Sequence, residues 1–108
     1  MLPVTEISVE ELSLWQSEGR DHILLDVREG WELDICRIDG AVHIPMGQIP
    51  GSLQAIDREK PLVVMCHHGG RSFQVASFLK AQGFDKAVNL AGGIHAWADR
   101  IDSGMVHY

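Results

Sequence analysis

The chain has two cysteines, and one of them heads the run Cys66-His67-His68-Gly69-Gly70-Arg71-Ser72. A cysteine does nucleophilic chemistry as the thiolate, so what matters is whatever lowers its pKa. Several features of this run do so. Gly69 and Gly70 let successive backbone N–H groups turn inward as an anion-binding nest. A helix starting about five residues after Cys66 adds the positive end of its dipole. Arg71 is a permanent cation, and His67 and His68 can add charge. All of these favour thiolate over thiol. Burial in an apolar wall does the reverse, so the loop geometry decides. Most free cysteines are small buried hydrophobes, but a Gly-Gly-Arg loop before a helix argues against that reading. Metal binding by Cys66, His67 and His68 is discounted, because three adjacent residues converge poorly on one ion. No second ligand pair with zinc spacing exists either. No metal or cofactor is expected.

Cys36 lacks these features and reads as a small residue at a helix end. The competing reading is a second thiol that resolves an intermediate on Cys66 or pairs with it. Asp26 and Arg28 stand at a strand end, where they either hold the Cys66 loop or form a structural ion pair capping a strand-to-helix turn. A buried carboxylate such as Asp26 usually accepts from loop amides. Arg28 with Glu32 reads as the structural pair.

The elements around these residues are legible. Ser8 with Glu11 three residues later is a capping box, and Ile7 and Leu12 occupy the staple positions of a helix that Gly19 ends. Residues 23–27 and 62–65 are short apolar runs, the pattern of strands buried on both faces. Residues 41–44 and 87–90 are two more strands. Residues 29–35 read as a short helix, and 46–57 as loop with one helical turn. The helix after the Cys66 loop carries Val75, Ala76 and Leu79, and Gly83 with Phe84 gives it a Schellman ending. Gly92-Gly93 opens a last helix bearing Ile94, Trp97 and Ile101. Strands alternating with helices predict an α/β fold: a mainly parallel sheet of about five strands with helices on both faces. Ligand sites in such sheets lie at the carboxyl ends of the strands. Asp26 with Arg28, the Cys66 loop and the Gly92-Gly93 turn all fall there.

The 108 residues, read as one domain over 1–108, leave no second domain to close over the loop. A site near the surface is therefore expected. The composition, 45% hydrophobic and 22% charged, is that of a globular chain. A net charge of −6 excludes a nucleic-acid binder that reads the backbone with a basic face. No apolar run is long enough for a membrane span, and no signal peptide is visible, so a reduced, cytoplasmic protein is expected.

Four segments together resemble the single-domain rhodanese family. They are Leu25-Asp26-Val27-Arg28-Glu29 followed by Glu32; Asp39-Gly40-Ala41-Val42-His43-Ile44-Pro45; Cys66-x-x-Gly69-x-Arg71-Ser72; and Gly92-Gly93-Ile94-x-x-Trp97. They occur in the family's order and cover nearly the whole chain. The resemblance implies a rhodanese-like three-layer fold and sulfurtransferase chemistry. Cys66 would take the outer sulfur of an anionic donor such as thiosulfate as a persulfide and pass it to cyanide or a thiol. Residues 67–72 would bind the substrate, with loop amides holding the persulfide and Arg71 attracting the donor and supporting departing sulfite. Asp26 and Arg28 would support the loop, and Glu32 would pair with Arg28. The His67 and His68 side chains either tune donor preference or face solvent and leave the work to their amides. The alternative is a persulfide carrier or interaction module that serves a thioredoxin-like or other sulfur-relay protein. Cys-loop phosphatases and arsenate reductases resemble Cys-x5-Arg instead. Here Cys66 and Arg71 bracket four residues, the shorter form associated with sulfur transfer. Cys36 and Arg37 depart from the family's usual residues.

Overall fold

The computed structural model describes residues 4–108. Its centre is β4 (Leu62–Met65), buried at every position. Side chains alternate across a strand, and two cores result. Val63 and Met65 face one, with Leu24, Leu90 and residues of α1 (Val9–Ser17) and α4 (Gly93–Arg100). Leu62 and Val64 face the other, with Leu25, Ala87 and Val75, Ala76 and Leu79 of α3 (Gly70–Ala81). Cys66 continues the alternation and falls on the α3 side.

The remaining elements are β1 (Thr5–Ile7), β2 (Ile23–Asp26), α2 (Gly30–Ile35), β3 (Val42–His43) and β5 (Ala87–Leu90). The sheet runs β1-β5-β4-β2-β3, and every pairing is parallel. This is the three-layer α/β architecture expected from the sequence. β1 is a difference. Ile7 reads as half of a staple, yet it also ends a strand whose carbonyl accepts from Ala91 N–H at 2.9 Å. Three residues, two of them exposed, are too few to show an alternation. Residues 46–57 contain two 3₁₀ turns, Met46–Gln48 and Leu53–Ala55, where the sequence predicts one turn.

The helix ends follow the sequence. Glu11 N–H donates to Ser8 Oγ at 3.1 Å. Phe84 N–H bonds Leu79 O, and Gly83 N–H bonds Lys80 O, which is the Schellman pair. The register sets Asp26 beside Met65, so β2 and β4 end together and the segments after them share one edge. A surface hollow bordered by Gln16, Arg20, His22 and Asp39 lies at the opposite edge, where β2 begins.

Candidate active site

Cys66 is 1% exposed, the floor of its loop rather than its rim. Sγ accepts the Gly69 N–H at 3.1 Å and lies 3.3 Å from Ser72 Oγ. Burial alone pushes the thiol up. The Ser72 hydroxyl and the backbone N–H groups of Ser72, Gly69 and His68 outweigh it, and the pKa falls below the ordinary cysteine value. Gly69 can aim its N–H inward because it sits at φ +110°, a conformation that side-chain-bearing residues rarely adopt.

Ser72 is itself held. Its Oγ lies 2.5 Å from Asn89 Oδ1, and both residues are fully buried. Asn89 Nδ2 donates to Glu6 Oε2 at 2.8 Å and to Gly69 O at 3.1 Å. Those two atoms only accept, so the amide orientation is fixed and Oδ1 must accept from Ser72. The hydroxyl thus has one proton and two acceptors within reach. An ionised sulfur is the stronger acceptor and competes for that proton.

The loop backbone is fixed by α4. Ile94 N–H donates to Cys66 O at 2.9 Å, and His95 N–H to His67 O at 3.0 Å. These are first-turn donors with no partner inside their own helix. Gly93 makes the approach possible: a Cβ there would lie 2.5 Å from both Cys66 O and His67 O.

Arg71 does not stand as a free cation. Its Nη1 and Nη2 donate to Glu32 Oε1 and Oε2 at 2.6 and 2.8 Å. This bidentate pair draws the Glu32 carboxyl down to about 2, aided by the Tyr108 hydroxyl and Glu29 N–H against the opposing effect of burial. The expected Arg28–Glu32 side-chain pair is therefore replaced. Glu32 serves Arg71, while Arg28 pairs with Asp26, Nη2 to Oδ2 at 2.7 Å, both fully buried. The remaining Arg28 donors go to Glu32 O, Cys36 O and the Tyr108 hydroxyl. Asp26 accepts from Arg28 N–H and the guanidinium, not from the Cys66 loop. Among the described residues, Arg28 reaches that loop through Glu32, which pairs with Arg71, and through Tyr108, which stacks on His67.

Tyr108 is a residue the sequence reading missed. Its hydroxyl donates to Glu32 Oε2 at 2.6 Å and accepts from Arg28 Nη1 at 3.0 Å. Its ring stacks on His67, with centroids 3.8 Å apart and planes 5° apart. His67 is therefore half-buried, packed against the Tyr108 and His68 rings, whereas His68 is exposed. Burial, followed by repulsion from His68, lowers the His67 pKa below its ordinary value. Asn89 and Glu6 were missed as well. One sits inside an apolar strand and the other on a strand too short to recognise, so neither left a signal. The only trace of Tyr108 is that it is the chain's single tyrosine.

Trp31 is 62% exposed and meets the Tyr108 ring edge-on at 6.3 Å. His95 approaches His67 and His68. Cys36 and Cys66 are both free. Cys36 packs against the α1–α4 core and Cys66 belongs to the α3 core, so the two thiols lie with opposite layers of the fold.

Comparison with known proteins agrees with this geometry. Residues 8–100 match the Rhodanese-like domain family. A sulfurtransferase of Allochromatium vinosum is 37% identical over 95 residues, which is 88% of this chain and 89% of that one. A putative sulfur carrier protein, YrkF, of Bacillus subtilis is 31% identical over 99 residues. The match takes in 92% of this chain and 54% of that longer protein. Among solved structures, a rhodanese-like domain protein from Staphylococcus aureus superposes with a TM-score of 0.84 at 32% identity, covering 97% of this chain and 99% of that one. The cysteine loop, the sheet that carries it and these relatives converge on one conclusion: the chain belongs to the rhodanese-like sulfurtransferase family.

Proposed function

We propose that Cys66 carries sulfane sulfur from an anionic donor such as thiosulfate to cyanide or a thiol. The observation that carries the reading is the set of N–H and O–H donors around Cys66 Sγ, which favours the thiolate. The thiolate attacks the outer sulfur of thiosulfate. The donor S–S bond breaks, its electron pair leaves with sulfite, and a Cys66 persulfide anion forms. The terminal sulfur extends about 2 Å beyond Sγ. Cyanide or a thiolate then attacks that terminal sulfur, and the Cys66 thiolate is regenerated. This is covalent catalysis in two half-reactions. Because Arg71 is neutralised by Glu32, anion binding falls chiefly to backbone N–H groups, and Arg71 holds the loop.

Intact mass after mixing with thiosulfate tests the mechanism. One added sulfur atom is expected on the wild type and none on Cys66→Ala. Equal addition to both, or to neither, overturns it.

A protein acceptor is favoured by a separate observation. Trp31 and Phe73, 62% and 42% exposed, neighbour Glu32 and Ser72 in sequence and place aromatic surface beside the site. Such residues anchor protein interfaces. Turnover with cyanide, small thiols and thioredoxin-like proteins separates the cases. Ready loading with slow turnover on every small acceptor identifies a carrier.

A further inference from the structure

At the Cys66 loop stand three imidazole side chains to which the proposed sulfur transfer assigns no role, only backbone groups of these residues being used there. His67, His68 and His95 each offer a ring nitrogen, and the three atoms all lie within 4.8 Å of one another. Two of these residues follow Cys66 in the loop. The third stands in the first turn of α4, tied to the loop by its N–H bond to His67 O at 3.0 Å. The objection that adjacent residues cannot converge on one ion is removed, because the third ligand comes from another element. Cys66 is not part of the set, being buried on the α3 side.

We propose that His67, His68 and His95 form a binding site for one divalent late first-row metal ion, with Zn2+ as its representative. Three imidazoles with an open fourth position suit zinc, copper, nickel or cobalt, whereas magnesium and calcium require oxygen ligands. The rings are free to ligate. Among the described residues, the histidine ring hydrogen bonds are those of His22 and His43. His67 Nε2 is the one buried side-chain nitrogen or oxygen among them with no partner, so ligation costs it no hydrogen bond. A tetrahedral ion with Zn–N bonds of about 2.0–2.1 Å needs nitrogens roughly 3.3 Å apart, a contraction of at most about 1.5 Å from the 4.8 Å within which they lie. The exposed side chains of His68 and His95 can supply it by rotation, while Tyr108 holds the His67 ring in place by stacking. His107, whose ring lies 5.3 Å from that of His95, is a candidate for the fourth position.

The site stands independently of the sulfur-transfer reading. Isothermal titration of the whole chain with zinc chloride tests it, with circular dichroism to verify that each variant is folded. The wild type is expected to bind one ion. His95→Ala and His68→Ala should each weaken binding by roughly 10-fold or more, and Cys66→Ala should leave it unchanged. No stoichiometric binding, full affinity in both folded histidine variants, or loss of binding in Cys66→Ala overturns the proposal. None of these outcomes bears on whether thiosulfate loads Cys66.

Discussion

Ser72 is where residue-scale chemistry is most exposed to test. Its hydroxyl stabilises the Cys66 thiolate, and among the described residues no other side chain donates to the sulfur. Ser72→Ala should raise the pKa at which Cys66 is alkylated by about one to two units, since a hydrogen bond to a charged group contributes about 1.5–3 kcal/mol and one unit is about 1.4. The rate of iodoacetamide labelling against pH measures this, and an unchanged midpoint would show that the amides suffice. Tyr108 gives a second test at this scale. Burial, and its hydrogen bond to the Glu32 carboxylate, push the phenol up to about 12 against the pull of Arg28. It is the only tyrosine, so tyrosinate absorbance reports it alone. The folded protein should titrate near 12, and the unfolded chain near the ordinary value of 10.0. Tyr108→Phe keeps the stacking on His67 and loses the bridge, which separates the two contributions.

At the scale of elements, the loop depends on how closely α4 approaches it. Gly93→Ala would place a methyl 2.5 Å from two carbonyl oxygens that are themselves fixed by α4 donors, at φ +59°. Neither side can give way without losing hydrogen bonds. The variant should lose more than about 2 kcal/mol of stability in denaturant melts, the range of strained or clashing buried sites. It should also load less sulfur from thiosulfate even where it remains folded. The Gly92-Gly93 turn is readable in the sequence as a helix start, but its contact with Cys66 is not. The two segments are distant along the chain, with α3 and β5 between them. The parallel crossover through α3 brings them to the same edge of the sheet.

For the molecule as a whole, the Glu32–Arg71 pair ties α2 to α3 and makes stability depend on pH. The folded carboxyl is drawn from 4.5 down to about 2, chiefly by Arg71. A depressed carboxyl stabilises the fold fully above its unfolded pKa, and that contribution fades as pH falls through the folded one. Stability should therefore drop between pH 4.5 and about 2. Glu32→Gln should be less stable at neutral pH and show a flatter curve across that window, as thermal melts at stepped pH would measure. By itself, the sequence determined the alternation of strands and helices, the helix caps, the parallel sheet and the cysteine loop at its edge. Each of these is written locally, in apolar period, capping residues and glycine placement. Only the tertiary structure decided that Glu32 serves Arg71 rather than Arg28, that Tyr108 bridges Arg28 and Glu32, and that Asn89 and Glu6 hold Ser72. Those choices are made by side chains from distant segments competing for the same donors and acceptors, and a competition across the fold leaves no periodic mark on the chain.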